Sequence, residues 1–292
     1  MSLLEAKHIT KEYDGRTIIK DICIHLEQGE LVCLLGLSGS GKTTLFHVLS
    51  GLTVPEEGQV ILNGRDITGK PGSVSYMLQK DLLLPHKKVI DNAALPLVLG
   101  GMRAKEARKI ADPLFDEFGL EGCQDQYPSS LSGGMRQRAA FLRTYLSAFR
   151  SQAVSGSGWS ESGLAKKGPN ALNRQHTTDN SHAGGDSKIL VDSHAAALLD
   201  EPFSALDTIT KDQIHAWYLD VMQKIDLSTL FITHDIDEAI LLSDRIYLMT
   251  GSPGVIRHEI KVSPVRHERK DFNLTSQFLD YKRQIIQILE EA

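Results

Sequence analysis

Gly36-Leu37-Ser38-Gly39-Ser40-Gly41-Lys42-Thr43 is the stretch from which the rest of the chain can be read; it fits G-x-x-x-x-G-K-[ST]. Before it, residues 31–35 form a continuous apolar run that stops at Gly36, as a buried strand does. After it, Leu45, Val48, Leu49 and Leu52 recur at i, i+3, i+4 and i+7, one face of a helix, with Gly51 near its end. Strand, glycine-rich loop and helix are the context this motif requires. The glycines let backbone N–H groups turn inward around phosphate oxygens, and the helix N-terminus adds positive potential. The reading assigns Gly36, Ser38, Gly39, Ser40, Gly41, Lys42, Thr43 and Thr44 to nucleotide binding, with Lys42 at the β- and γ-phosphates and the Thr43 hydroxyl on Mg²⁺. Alone, the loop says only that a nucleoside triphosphate is bound.

Composition sets the bounds around that loop. The 292 residues allow one large domain or two lobes, and 41% apolar with 24% charged residues is ordinary for a globular core. A net charge of −5, without a dense Lys/Arg field, argues against nucleic acid as a partner. Three cysteines, Cys23, Cys33 and Cys123, are an odd number and read as reduced, mostly buried thiols; their spacing matches no metal-ligand pattern. No charged leader with an apolar core opens the sequence, and no apolar run approaches the roughly 20 residues that span a bilayer. Service to a membrane is therefore expected from its cytoplasmic face, through a partner.

Outward from the loop, residues 3–28 alternate loosely between turn signals at Asp14-Gly15 and Gln28-Gly29, which predicts short antiparallel strands. Strands are predicted again at 59–62 and 73–78, with a turn at Asn63-Gly64, followed by a helical region from about 88 to 130 in which 104–118 is the most regular stretch. A helix starts at Gly133-Gly134 and runs through 136–146. Residues 149–194 are rich in Ser, Gly, Asn, Gln and His and are read as a disordered surface insert, with a binding element as the other reading. Strands resume at 195–199, 228–233 and 245–250. In the tail, Phe278, Tyr281, Ile285, Ile288 and Leu289 share a helical face, either packed on its own domain or offered to a partner.

Asp200 ends an apolar strand, where a carboxylate can hold Mg²⁺, and Glu201 follows where the chain leaves the strand and can face an attacking water as general base. Two acids at a strand end also occur as a merely solvated pair; Pro202 and then Ser204-Ala205-Leu206-Asp207 argue against that. His234 follows another apolar strand, at the end where α/β sheets place ligands. Ser132 and the N–H groups of Gly133 and Gly134, at a helix start, form a second anion site.

Taken in order, these motifs resemble the ATP-binding-cassette (ABC) ATPases over about residues 3–260, interrupted by the insert: the phosphate loop, a Q-loop at Gln79, the signature Leu131-Ser132-Gly133-Gly134-Met135-Arg136-Gln137, the Walker B strand with Glu201, the Ser204–Asp207 D-loop and the switch histidine His234. The resemblance implies an α/β P-loop fold: a RecA-like mixed/parallel sheet core with an antiparallel β subdomain and an α-helical subdomain. It divides the chain into an ATPase domain at 1–260, with the helical subdomain at about 88–138 and the insert at about 149–194, and a helical tail at 261–292. It implies ATP and Mg²⁺ as ligands, Thr43, Gln79 and Asp200 around the metal, and Glu201, His234 and Gln79 in catalysis. It places Tyr13 against adenine, and it makes Ser132, Gly133 and Gly134 contacts to the nucleotide of a facing second copy.

One cassette without a membrane segment resembles the separate ATPase subunit of a bacterial-type importer. That role implies a peripheral place on the cytoplasmic face of the cell membrane, integral permease subunits as partners and a solute-binding protein beside them. Residues 82–85, Met135 and residues 243–255 resemble the nitrate/sulfonate/taurine group, which includes carriers of thiamine-pyrimidine precursors; His86 stands where that group often has Trp. Asp200 lies much further beyond Leu131 than the family places it, because of the insert, which joins the end of the sheet opposite the ATP site. The alternatives from other classes are a soluble assembly or repair motor, which would carry coiled-coil inserts or basic tracts, and a non-hydrolysing cassette, which would lack Lys42, Asp200, Glu201 or His234.

Overall fold

The structure is a computed structural model and describes residues 2–155, 195–204, 206–225, 227–269 and 271–291. Most of the sequence-predicted insert lies outside the described residues.

Two turns with left-handed backbone start the fold. At Asp14-Gly15 (φ 50° and 75°) the chain reverses between β1 (Leu4–Tyr13) and β2 (Arg16–Leu26), and at Asn63-Gly64 (φ 51° and 73°) between β4 (Glu57–Leu62) and β5 (Arg65–Asp66). Asx-Gly pairs suit this geometry, whose twist matches that of the strands they join. The four strands form an antiparallel sheet in the order β2-β1-β4-β5.

The second sheet has six strands: β3 (Leu31–Gly36), β6 (Ser75–Met77), β7 (Ala196–Asp200), β8 (Ser228–Thr233), β9 (Arg245–Thr250) and β10 (Val255–Lys261). Its order is β10-β9-β3-β8-β7-β6, parallel except for the antiparallel β10. Period-two alternation on these buried strands divides the apolar side chains between two cores. Val32, Leu34, Leu198, Leu230, Ile232 and Met249 face the antiparallel sheet and helix α1 (Lys42–Leu49), whose Leu45, Phe46, Val48 and Leu49 fill the gap. Leu31, Cys33, Leu35, Leu199, Phe231 and Leu248 face the other helices.

Those helices are α2 (Val89–Leu99), α3 (Ala104–Ala111), α4 (Leu114–Glu117), α5 (Gly133–Ser155), α6 (Thr208–Lys224), α7 (Ile236–Leu242) and α8 (Ser276–Glu290). The most regular helical stretch expected, 104–118, holds two helices, broken at Asp112-Pro113, because Pro113 has no N–H to continue the ladder. Helix α5 runs to Ser155, beyond the predicted 146. Thr275 caps α8, and Phe278 and Ile285 are buried in the main core with Tyr281, Ile288 and Leu289 against it, so the tail packs on its own domain. Cys33 and Cys123 are buried, and burial pushes both thiols up; Cys23 is exposed, which corrects its reading as one of the mostly buried set.

A buried Arg245 ties the two sheets together. Its guanidinium takes Glu30 at 2.8 Å through both Nε and Nη2, the His25 carbonyl on β2 at 2.9 Å and the Tyr247 hydroxyl at 2.6 Å. Two-point contact with a carboxylate suits the planar fork of arginine.

Candidate functional site

The phosphate loop lies between the end of β3 and the start of α1. Gly41 takes φ 93°, and a Cβ there would come within 2.5 Å of Ile19 Cγ2, so both backbone and packing demand glycine. Through this contact the β1–β2 hairpin, with Tyr13 at its tip, rests on the loop. The Lys42 ammonium donates to the carbonyls of Gly36 and Leu37, at 2.8 Å each, which centres its charge in the loop. Burial lowers its pKa, against the opposing charges of Glu201 and Asp200. Ser40 is buried, and its Oγ has no hydrogen-bond partner among the described residues. An unpaired buried hydroxyl two residues from the Lys42 ammonium is what an anionic ligand would satisfy.

Next to the loop, strand β7 delivers Asp200. The Thr43 hydroxyl donates to Asp200 Oδ2 at 3.3 Å and the Tyr76 hydroxyl, on the neighbouring β6, at 3.2 Å. Burial raises the Asp200 pKa; the Tyr76 and Thr43 hydrogen bonds lower it, and the Glu201 charge raises it further. The donor set is all oxygen and hard, the kind that suits Mg²⁺.

Glu201 follows with φ 45°, the left-handed turn that carries the chain out of the strand, and its N–H donates to Ile232 O at 3.0 Å. Its carboxylate is held from two sides. Gln79 Nε2 donates to Oε2 at 2.9 Å, and His234 Nδ1 lies 3.1 Å from Oε1, where a carboxylate can only accept. Residues from the ends of three parallel strands, β6, β7 and β8, thus meet in one cluster beside the phosphate loop. Gln79, assigned from sequence to both metal and catalysis, contacts Glu201, whereas Thr43 and Asp200 contact each other.

Behind His234, Asp235 caps α7 through its carboxylate. Glu238 is 3% exposed, accepts from Thr233 Oγ1 at 2.6 Å and from Lys211 Nζ of α6 at 2.9 Å, and has His215 Nε2 at 3.6 Å. Burial alone would raise its pKa, but these three partners outweigh burial and hold it at about 2.

Within the signature, Gly134 packs toward α6 rather than the phosphate loop. Ser132 Oγ accepts from the Met135 N–H at 3.3 Å, capping α5, and Gly134 would meet Thr210 and Ile214 at 3.3 and 3.4 Å if it carried a Cβ. Downstream in α5, Arg143 donates to the carbonyls of Asp81 and Leu82 (2.9 Å to the latter), and Arg136 Nε lies 3.3 Å from Asp81. Gln137 donates to the Pro202 carbonyl. The signature helix therefore grips both the segment after Gln79 and the turn after Glu201. Tyr13 is exposed at the end of β1, with the Lys11 ammonium 5.1 Å from its ring centroid.

Sequence reasoning missed Tyr76, Arg143, Lys211 and Glu238. A tyrosine in a three-residue strand and an arginine in a helix carry no local signal. Glu238, three residues after a capping Asp and at the start of an apolar helix, carried a weak one.

A family model described as ABC transporter matches residues 19–150. The formylaminopyrimidine import ATP-binding protein ThiZ of Halalkalibacterium halodurans is 34% identical over 263 residues, covering 90% of this chain and 85% of its own length. The aliphatic sulfonates import ATP-binding protein SsuB 2 of Burkholderia cenocepacia is 33% identical (94% and 84% covered), and the nitrate import ATP-binding protein NrtD of a Synechocystis species 31% (98% and 94%). Among solved structures, cbiO1 from Clostridium perfringens superposes with a TM-score of 0.68 at 20% identity, covering 97% of this chain and 99% of that one. A dimeric ATP-binding cassette, MJ0796 with ADP and Pi, superposes at 0.61 and 24% identity, covering 89% and 99%. The phosphate loop, the strand-end carboxylates and these full-length likenesses agree: the chain belongs to the ATP-binding proteins of the ABC transporter family.

Proposed function

We propose that this chain is the ATP-hydrolysing subunit of an ABC importer and drives a small solute through a separate permease. The observation that carries the reading is the Gln79–Glu201–His234 cluster beside Thr43 and Asp200. There Glu201 is oriented from both sides and can take the proton of an attacking water, while His234, whose ring reaches Glu201, would meet the γ-phosphate. Thr43 and Asp200 would hold Mg²⁺, which supplies charge neutralisation at the phosphates when bound. Lys42 and the loop N–H groups would take the β- and γ-phosphates, and Tyr13 the adenine face.

The signature is the second half of the reading. Ser132 caps α5 through the Met135 N–H, and the N–H groups of Gly133 and Gly134 at the same helix start would bind an anion, while Gly134 packs toward α6. A second copy, facing this one, would bring its signature to this chain's γ-phosphate. Hydrolysis then releases the dimer, and the shift between closed and open states moves the permease. Arg143 and Arg136, by tying the segment after Gln79 to the signature helix, would carry that motion toward the helical region at 88–130, where the permease docks.

Several of the relatives are named as import proteins for chemically different solutes: a formylaminopyrimidine, aliphatic sulfonates, nitrate and taurine. Hydrolysis is what such cassettes share, so solute selection belongs to the permease and to a solute-binding protein. Among the described residues no helix is long and apolar enough to cross a membrane; the import role named for the relatives supports a peripheral place on the cytoplasmic face. The test is to tag the chain, extract native membranes in mild detergent and identify what co-purifies. A polytopic permease is expected; recovery from the soluble fraction alone would refute the importer role and favour an assembly or repair motor.

A further inference from the structure

On the β1–β2 hairpin, the register of the two strands slips between Ala6 and Ile9 and again between Ile9 and Lys11. His8 takes φ 54° and Asp21 φ 50°. Asp and His are among the L-residues that adopt this conformation, singly and at bends. The two bends turn His8, Asp21 and Cys23 onto one exposed patch. His8 Nδ1 lies 2.7 Å from Asp21 Oδ1 and 3.6 Å from Cys23 Sγ, and one ligand atom from each residue lies within 4.8 Å of the others. The His8 backbone N–H also donates to Cys23 Sγ at 3.3 Å.

We propose that His8, Asp21 and Cys23 form a binding site for a borderline divalent cation of the Zn²⁺ class, with a fourth position open to water. The donor set is imidazole nitrogen, carboxylate oxygen and thiolate sulfur, which selects such ions over Mg²⁺ and Ca²⁺ and sets this site apart from Thr43 and Asp200. A tetrahedral ion with bonds of about 2.0–2.3 Å spaces its ligand atoms about 3.3–3.6 Å apart. The His8–Cys23 separation already matches. The His8–Asp21 contact is a hydrogen bond that must open by under about 1 Å when the ion replaces its proton. The backbone N–H on the sulfur is an outer-shell hydrogen bond of the kind that orients ligands at metal sites.

The simpler account is a surface ion pair. The His8 and Asp21 side chains are 76% and 67% exposed, and a pair so exposed contributes little. That account leaves the sulfur unexplained. A bound ion would cross-link β1 to β2 in the hairpin that carries Tyr13.

Cobalt reports the site directly. The full chain, reduced and stripped of metal, is titrated with Co²⁺ in the near ultraviolet. We expect a sulfur-to-cobalt charge-transfer band that saturates at one ion per chain, is displaced by Zn²⁺, disappears in Cys23→Ser and weakens at least about tenfold in affinity in His8→Ala. Cys33 and Cys123 are buried and cannot supply the band, and histidines elsewhere give none. Cys23→Ser should keep wild-type ATP binding, which shows that it folds. Absence of the band, its survival in Cys23→Ser, or unchanged affinity in His8→Ala would each overturn the assignment.

Discussion

Replacing Gly254 by alanine would show how the phosphate loop is held in place. Gly254 lies in the turn between β9 and β10, more than two hundred residues from the loop in sequence, yet a Cβ built on it would sit 2.0 Å from the Ser40 carbonyl oxygen, 3.1 Å from its carbonyl carbon and 2.6 Å from Met249 Cε. The methionine tip can rotate away, but the Ser40 oxygen is main chain. Gly254 cannot retreat, because its N–H donates to Ile18 O at 2.8 Å and its carbonyl accepts from Lys20 N at 3.0 Å. Relief therefore requires about 1 Å of movement in the phosphate loop itself, since a close-packed interior leaves no void to absorb it. Overpacking of this kind costs about 1–3 kcal/mol of stability. A misplacement of about 1 Å at a reacting centre costs up to about 100-fold. We expect Gly254→Ala to bind ATP about 10- to 100-fold more weakly, or about 1.4–2.7 kcal/mol, measured by calorimetry and paired with urea unfolding. Gly64→Ala is the control: Gly64 has φ 73° but nothing within 4 Å of its Cβ position, so it should lose about 1 kcal/mol of stability and keep its ATP affinity. A folded Gly254→Ala protein with wild-type ATP affinity would refute the buttress.

Three further outcomes follow from the same geometry. Glu201→Gln should retain ATP binding and lose about 10²- to 10⁴-fold in turnover; wild-type turnover would remove Glu201 as the base. Glu238 is held at about 2 in the folded chain against an ordinary 4.5, so its ionised form contributes about 3 kcal/mol of stability that is complete above about pH 4.5 and lost as the pH falls toward 2; Glu238→Gln should flatten the acid limb of the stability profile, and an unchanged limb would contradict this. Arg269 is 5% exposed and donates to the carbonyls of Pro264, Ile240, Leu241, Ser243 and Val262, and burial pulls its pKa down to about 10 while leaving it charged at neutral pH. Arg269→Met should cost at least about 3 kcal/mol in urea unfolding by stranding those carbonyls, with Lys restoring only part because it lacks the fork; a loss under about 1 kcal/mol would show that water replaces it.

Local sequence determined what local physics controls. The apolar run, glycine loop and helical face around Lys42 specify a strand, an anion-binding turn and a helix whatever surrounds them. The Asx-Gly pairs specify the two hairpins, and the alternation along β3, β7 and β8 sorts side chains between two cores before any neighbour is known. The acids at the end of β7 and the histidine at the end of β8 were legible because parallel strands present their C-terminal ends on one side of the sheet. Breaks in that reading were also local: Pro113 divided a helix that periodicity alone would continue, and strands as short as β5 gave too little pattern to detect. Only the tertiary structure decided which distant residues meet. Tyr76 reaches Asp200 because β6 lies beside β7 across more than a hundred residues, Arg143 reaches Leu82 because α5 crosses the Q-loop, Gly254 supports Ser40, and His8 meets Cys23 because two bends turn their strands. Periodicity records which way a side chain faces along its own element; it carries no record of which element will lie opposite, and that is settled when the whole chain packs.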